Sequence, residues 1–91
     1  MRSRRTAQFK AMLGKLSAEV RVTAQRKYEL FRTSPNHPSF HVKLVRATAN
    51  WLVPHWEYRI SRGYRATCFR DGDTYVWVFI GSHDEFEEFY R

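Results

Sequence analysis

Trp56-Glu-Tyr-Arg-Ile-Ser-Arg-Gly-Tyr-Arg-Ala-Thr-Cys-Phe69, continued after Arg70-Asp-Gly-Asp73 by Thr74-Tyr-Val-Trp-Val-Phe-Ile80, is the stretch whose reading decides the fold. Aromatic and β-branched residues dominate it. It is interrupted only at Ser61-Arg-Gly63 and Arg70-Asp-Gly-Asp73, where glycine and aspartate suit tight hairpin connections. It therefore reads as three consecutive antiparallel strands over residues 56–60, 64–69 and 74–80. Residues 41–46 alternate loosely and read as a strand before them. Residues 47–54 form a connection, with Trp51 and Leu52 expected to fold back onto the core.

Upstream the period changes from two to that of a helix. Thr6 is suited to the N-cap, and Phe9, Met12, Leu13 and Leu16 then recur as one apolar stripe. Ser17 restarts a helix with Glu19 in its first turn, where a carboxylate complements the helix dipole. Val20, Ala24, Tyr28 and Phe31 follow at helical spacing until Pro35 and Pro38 stop it. Ser82 is suited to cap a last short helix. The expected architecture is α+β: an N-terminal helical hairpin packed on a three- to four-stranded antiparallel sheet, with a short C-terminal helix, as a single domain over residues 1–91.

The balance of charge narrows the partners. The formal net charge is +7, yet Asp84, Glu85, Glu87 and Glu88 crowd the last nine residues, so the body is more cationic than the total indicates. A body of that kind attracts polyanions and gains from counterion release. Twelve of the sixteen basic residues are arginine, which favours forked contact with phosphate over simple solubility. Cys68 has no partner for a disulfide. His37, His41 and His55 lack metal-ligand spacing, so no metal is expected. There is no phosphate-cradling glycine-rich loop, no membrane-length apolar run and no secretory signal core after Met1-Arg-Ser-Arg-Arg5, which makes the cytoplasm the default.

Register decides what the arginines of the meander face. A three-residue loop at 61–63 pairs Ile60 with Tyr64 and sets Arg59 opposite Arg65. Like charges across a ladder need a compensating anion. In the next hairpin a two-residue Asp71-Gly72 turn puts Arg65 on one face with Val76 and Val78, whereas a three-residue loop through Asp73 puts it beside Trp77 and Phe79. The second is preferred because it spares an arginine burial among aliphatics. It gives a helix-covered face of Ala66, Cys68, Val76, Val78 and Ile80, and an open face of Glu57, Arg59, Arg65, Thr67, Trp77 and Phe79.

Two helices, His37-Pro-Ser39 leading to a strand with Lys43, then Tyr58-Arg-Ile60, Arg62-Gly-Tyr-Arg65, Gly72-Asp73 and Trp77-Val-Phe-Ile-Gly-Ser-His-Asp-Glu85 together resemble the RelE/ParE-type toxins of bacterial type II toxin–antitoxin systems. The likeness spans about residues 7–90 and is most specific in the Gly-Tyr-Arg and Ile-Gly-Ser-His-Asp-Glu blocks. It implies a compact α+β toxin, neutralised by a cognate antitoxin protein. In the RelE branch such a toxin enters the ribosome and cuts mRNA without metal or cofactor. The ParE branch instead inhibits DNA gyrase by binding, and a non-toxic nucleic-acid-binding module is the third possibility. Two features depart from the family pattern. Only residues 1–5 precede the first helix, so the family's opening edge strand is expected to be short or missing. The tyrosine that RelE uses near its end aligns with Phe89, with Tyr90 beside it.

Metal-independent RNA cleavage needs a base for the 2′-hydroxyl, cationic stabilisation of the phosphorane and an acid for the leaving oxygen. The resemblance assigns phosphate stabilisation to Arg65 and Arg59, with Lys43 on the preceding strand, and proton transfer to His83. Glu57 is either a base or the arginines' counterion. Arg62 at the hairpin tip, with Trp77, Phe79 and Tyr90, would contact RNA, the two sheet aromatics by stacking on bases. The bland alternatives are a solvated arginine face, a helix-start histidine and core aromatics.

Overall fold

The computed structural model describes residues 1–91. The chain runs β1 (Arg2–Arg5), α1 (Ala7–Gly14), α2 (Ala18–Thr33), β2 (Lys43–Leu44), β3 (Trp56–Ser61), β4 (Tyr64–Asp71), β5 (Thr74–Ser82) and α3 (His83–Phe89). The α+β class holds, with N-terminal helices against one sheet and a short terminal helix. The sheet, however, has five strands in the order β1-β5-β4-β3-β2, one more than the expected upper count.

The additional strand is the amino-terminal one. β1 pairs in parallel with β5, Arg2 to Thr74 through Arg5 to Trp77, so the opening edge strand is present though only four residues long. Its Arg-Ser-Arg-Arg sequence carries no apolar alternation and gives no strand signal, and charge on a short edge discourages further pairing. Thr6 then turns the chain. Its backbone N–H and its hydroxyl both donate to the Trp77 carbonyl at 3.1 Å, while the same hydroxyl accepts from Phe9 N–H and caps α1. Ser17 caps α2 by accepting from Val20 N–H.

β2 is shorter than the strand expected over 41–46. His41 sits at φ 45°, in the left-handed region, after a 3-10 turn at Pro38–Phe40, and a second 3-10 turn at Arg46–Thr48 follows. The chain beyond β2 stays tied to the sheet by Val45 N–H donating to the His55 carbonyl at 2.9 Å. Trp51 and Leu52 do not fold back onto the core, being 51% and 99% exposed.

Both hairpins differ from the expected loops. The first turn is Arg62-Gly63, with Ser61 opposite Tyr64. An irregularity between Arg59 and Ser61 still leaves Arg59 facing Arg65, as the sequence predicts. The second turn is Gly72-Asp73, with Gly72 at φ 62°, and it pairs Asp71 with Thr74. The register runs Cys68 to Trp77 and then Thr67 to Phe79, leaving Val78 as the extra residue of a β-bulge. Before the bulge, Trp77 joins the helix-covered core; after it, Ile80 does. Val76, Val78 and Phe79 instead join the second cluster with Val45 and Phe86. The expected faces are thus corrected for Trp77, Val76 and Val78, and hold for Ala66, Cys68, Ile80 and Phe79.

The helix-side core centres on Phe31, 2% exposed, which meets the rings of Phe40, Tyr58, Tyr75 and Trp77 edge-on at centroid distances of 6.1, 5.5, 4.9 and 5.2 Å. Edge-to-face pairs of this kind add to the area they bury. Phe31→Ala is expected to cost about 3–5 kcal/mol in a urea unfolding experiment; a loss below about 1 kcal/mol would show that α2 is not held through this ring.

Candidate functional site

The face of the sheet away from α1 and α2 carries three rows of side chains, set by strand register. Val45, His55, Phe69 and Val76 form the first. Lys43, Glu57, Thr67 and Phe79 form the second, and Arg59, Arg65 and Gly81 the third. α3 lies across part of this face, with Phe79 meeting the rings of Phe86, Phe89 and Tyr90 at 6.1, 5.0 and 6.3 Å. Burial of Phe79 (2% exposed) beneath this helix, and of Trp77 (6%) in the opposite core, corrects the expectation that the two rings stand on an open surface. Neither is presented to a base. The reason is the bulge at Val78 together with the apolar side of α3.

The third row holds two like charges side by side, and the neighbouring row supplies the anion. Arg65 Nε lies 3.5 Å from Glu57 Oε2, and both side chains are largely buried. Arg65 Nη1 donates to the carbonyls of Ser61, Arg62 and Tyr64 at 3.0, 3.1 and 3.0 Å, bracing its own hairpin. Opposite Arg65 on β5 stands Gly81, where a Cβ would come within 2.8 Å of Glu85 Oε1 and 3.0 Å of the Phe79 ring. The missing side chain gives α3 room to start beside the arginine. Arg59 turns the other way, with Nη1 3.4 Å from His41 Nε2. An arginine only donates, so that imidazole nitrogen carries the lone pair.

Ser82 caps α3 with a full capping box: its hydroxyl accepts from Glu85 N–H at 3.1 Å, and Glu85 Oε1 accepts from Ser82 N–H at 2.7 Å. His83 is the first residue of that helix. Its backbone N–H donates to the Gly63 carbonyl at 2.8 Å, which brings the histidine to the same hairpin tip that carries Arg62 and leads into Arg65. Its half-exposed imidazole has Nε2 3.8 Å from Glu87 Oε1, a surface contact of little energetic weight. Lys43 and Arg62 are exposed. Arg59, Arg65, Glu57, Lys43, Arg62 and His83 therefore belong to one side of the molecule, whereas Trp77 does not.

Tyr90 closes the other end of the face and brings in a group that no sequence motif marks. Its hydroxyl lies 2.6 Å from Thr67 Oγ1 and 2.8 Å from His55 Nδ1. His55 stacks on Phe69 at 5.5 Å and meets Tyr90 edge-on at 5.7 Å. Burial pushes the Tyr90 phenol up to about 12 and holds the His55 imidazole below its ordinary 6.5. Both groups are thus neutral at pH 7, and the Tyr90 hydroxyl links His55 Nδ1 and Thr67 Oγ1 in one hydrogen-bonded chain. The only sequence signal for this trio is His55 beside the first long strand, and no spacing links it to Tyr90. Cys68, fully buried, has its thiol pushed up to about 12 by burial and is a core residue. No three His, Cys, Asp or Glu side chains gather where a metal ion could be held, and no helix is long and apolar enough to cross a membrane.

The depressed pKa of His55 carries a pH dependence of known sign. The folded state binds fewer protons than the unfolded chain between the folded pKa and 6.5, so stability is full above that value and falls as pH drops through the window. The thermal midpoint of the protein is expected to fall more between about pH 7 and about pH 5.5 than that of His55→Gln. Equal slopes would show that His55 titrates as a free imidazole.

No protein-family model matches the chain, and no curated protein matches it in sequence. Among solved structures, the crystal structure of a copper-bound mutant toxin from Helicobacter pylori aligns with a TM-score of 0.63, covering 93% of this chain and 97% of that one at 18% identity. The α+β arrangement of helices, five-stranded sheet and terminal helix is therefore shared with that protein over nearly the full length of both chains.

Proposed function

We propose that the protein is the toxin of a type II toxin–antitoxin system, acting in the cytoplasm as a ribosome-dependent mRNA endonuclease that needs no metal and is held in check by a cognate antitoxin. The observation that carries this reading is the third row of the sheet. Arg59 and Arg65 stand opposite one another on β3 and β4, and His83 is bonded through its backbone to Gly63 of the hairpin that joins those strands. Two arginines on facing strands, with an exposed imidazole anchored at the hairpin that joins them, supply the kinds of group that phosphoryl transfer without metal needs.

In this scheme Arg65 offers Nη2, the guanidinium nitrogen left over from its contacts with Glu57 and the hairpin, to a non-bridging oxygen of the scissile phosphate. Arg59 and Lys43 neutralise the flanking backbone, and Arg62 at the exposed tip meets ribosomal RNA. His83 moves the proton of the 2′-hydroxyl or of the leaving 5′-oxygen. Glu57 keeps Arg65 oriented as its counterion, which leaves it poorly placed to act as the base. The neighbour's copper has no counterpart among this chain's side-chain clusters.

One observation favours a second reading, a ParE-like toxin that inhibits DNA gyrase by binding alone. Arg65 commits its Nε to Glu57 and its Nη1 to three carbonyls of its own hairpin, the pattern of a structural brace. Mapping mRNA ends in a translation reaction separates the two. The nuclease is expected to cut in ribosome-occupied codons, with chelator present, and His83→Ala is expected to lower the rate by about a hundredfold or more while ribosome binding persists. Intact mRNA accompanied by gyrase inhibition would overturn the nuclease in favour of the binder.

A further inference from the structure

We infer that Trp51 is a base-stacking platform for single-stranded RNA, lying at the end of the face that carries Arg59 and Arg65; this rests on the RNA-directed reading above. Trp51 is 51% exposed, yet it is not a loose surface ring. It meets the His55 imidazole edge-on at 5.1 Å, and that imidazole is itself stacked on Phe69 and hydrogen-bonded to Tyr90. The loop beneath it is pinned twice through one residue, Thr48. His55 N–H donates to Thr48 Oγ1 at 2.9 Å, and Trp51 N–H donates to the Thr48 carbonyl at 3.0 Å. A half-exposed indole already held by these contacts loses little entropy when a flat ring packs against it.

Position along the sheet points to a nucleic acid strand. Residues 55, 57 and 59 of the same chain segment face the same side, so the Trp51 perch and Arg59 are about 14 Å apart at the ordinary rise of an extended chain. Between and beside them stand the exposed cations Lys43 and Arg46. A stacking ring at one end of a cationic track is the arrangement by which single-strand binders hold bases without reading them. It also supplies what burial of Trp77 and Phe79 removes from the face.

The test compares binding of fluorescein-labelled oligouridylate with that of an abasic ribose-phosphate oligomer of equal length. The intact protein is expected to prefer the base-bearing strand by about tenfold. Trp51→Ala should abolish that preference while leaving affinity for the abasic strand unchanged, and Trp51→Phe should keep most of it. An unchanged preference in Trp51→Ala would overturn the platform and leave the nuclease reading to stand on its own mRNA mapping. Failure of the intact protein to prefer bases would also overturn the platform, whatever the mapping shows. Because Leu52 is 99% exposed beside it, sedimentation should accompany the titration: a dimer that Leu52→Asp dissociates, with base preference unaffected by Trp51→Ala, would make the loop an interface between two copies and overturn the inference.

Discussion

The single extra residue at Val78 settles which side chains each face of the sheet receives. The Gly72-Asp73 turn alone would run β5 past β4 in a register that sets Ile80 opposite Arg65 and turns Phe79 towards the helices. The bulge advances the strand by one, returns Ile80 to the helix-side core and places Phe79 under α3. A one-residue shift moves every later side chain to the other face. Two apolar clusters are thereby filled from one strand, and Gly81 arrives opposite Arg65, where a larger residue would collide with Glu85 and Phe79.

Charge on the remaining surface follows from that register. Arg59 and Arg65 repel across the ladder, and the structure offsets this locally. Glu57 lies against Arg65, the hairpin carbonyls take Nη1, and Arg59 is drawn towards His41. Removing Glu57 would leave a largely buried guanidinium without its anion, so the carboxylate's first duty is electrostatic. The arrangement leaves cationic potential at the surface without leaving a buried charge unpaired.

α3 joins the two ends of this surface. Its first residue, His83, is bonded to the tip of the β3–β4 hairpin, and Tyr90 just beyond it reaches Thr67 and His55. The apolar residues between them, Phe86 and Phe89, cover Phe79. A seven-residue helix has little stability of its own. Its capping box and these aromatic contacts are what hold the histidine and the tyrosine in fixed relation to the arginines.

Much of this is written locally along the chain. Thr6, Ser17 and Ser82 mark the three helix starts because a side-chain oxygen followed by helical apolar spacing is a local signal. The β-rich runs around two glycine turns mark the meander, and the facing of Arg59 and Arg65 survives even though the turn between them is shorter than expected. The class of fold and the cationic character therefore lie in the sequence by itself. Tertiary structure alone decided the strand β1, whose arginines carry no periodic pattern and which exists only because β5 offers an edge. It alone decided the burial of Trp77 and Phe79, since a bulge is a compromise between two packed faces and leaves no mark in either. The meeting of His55, Thr67 and Tyr90 belongs with these, because residues so far apart in the chain are brought together by sheet order and helix docking rather than by any spacing that could be read along it.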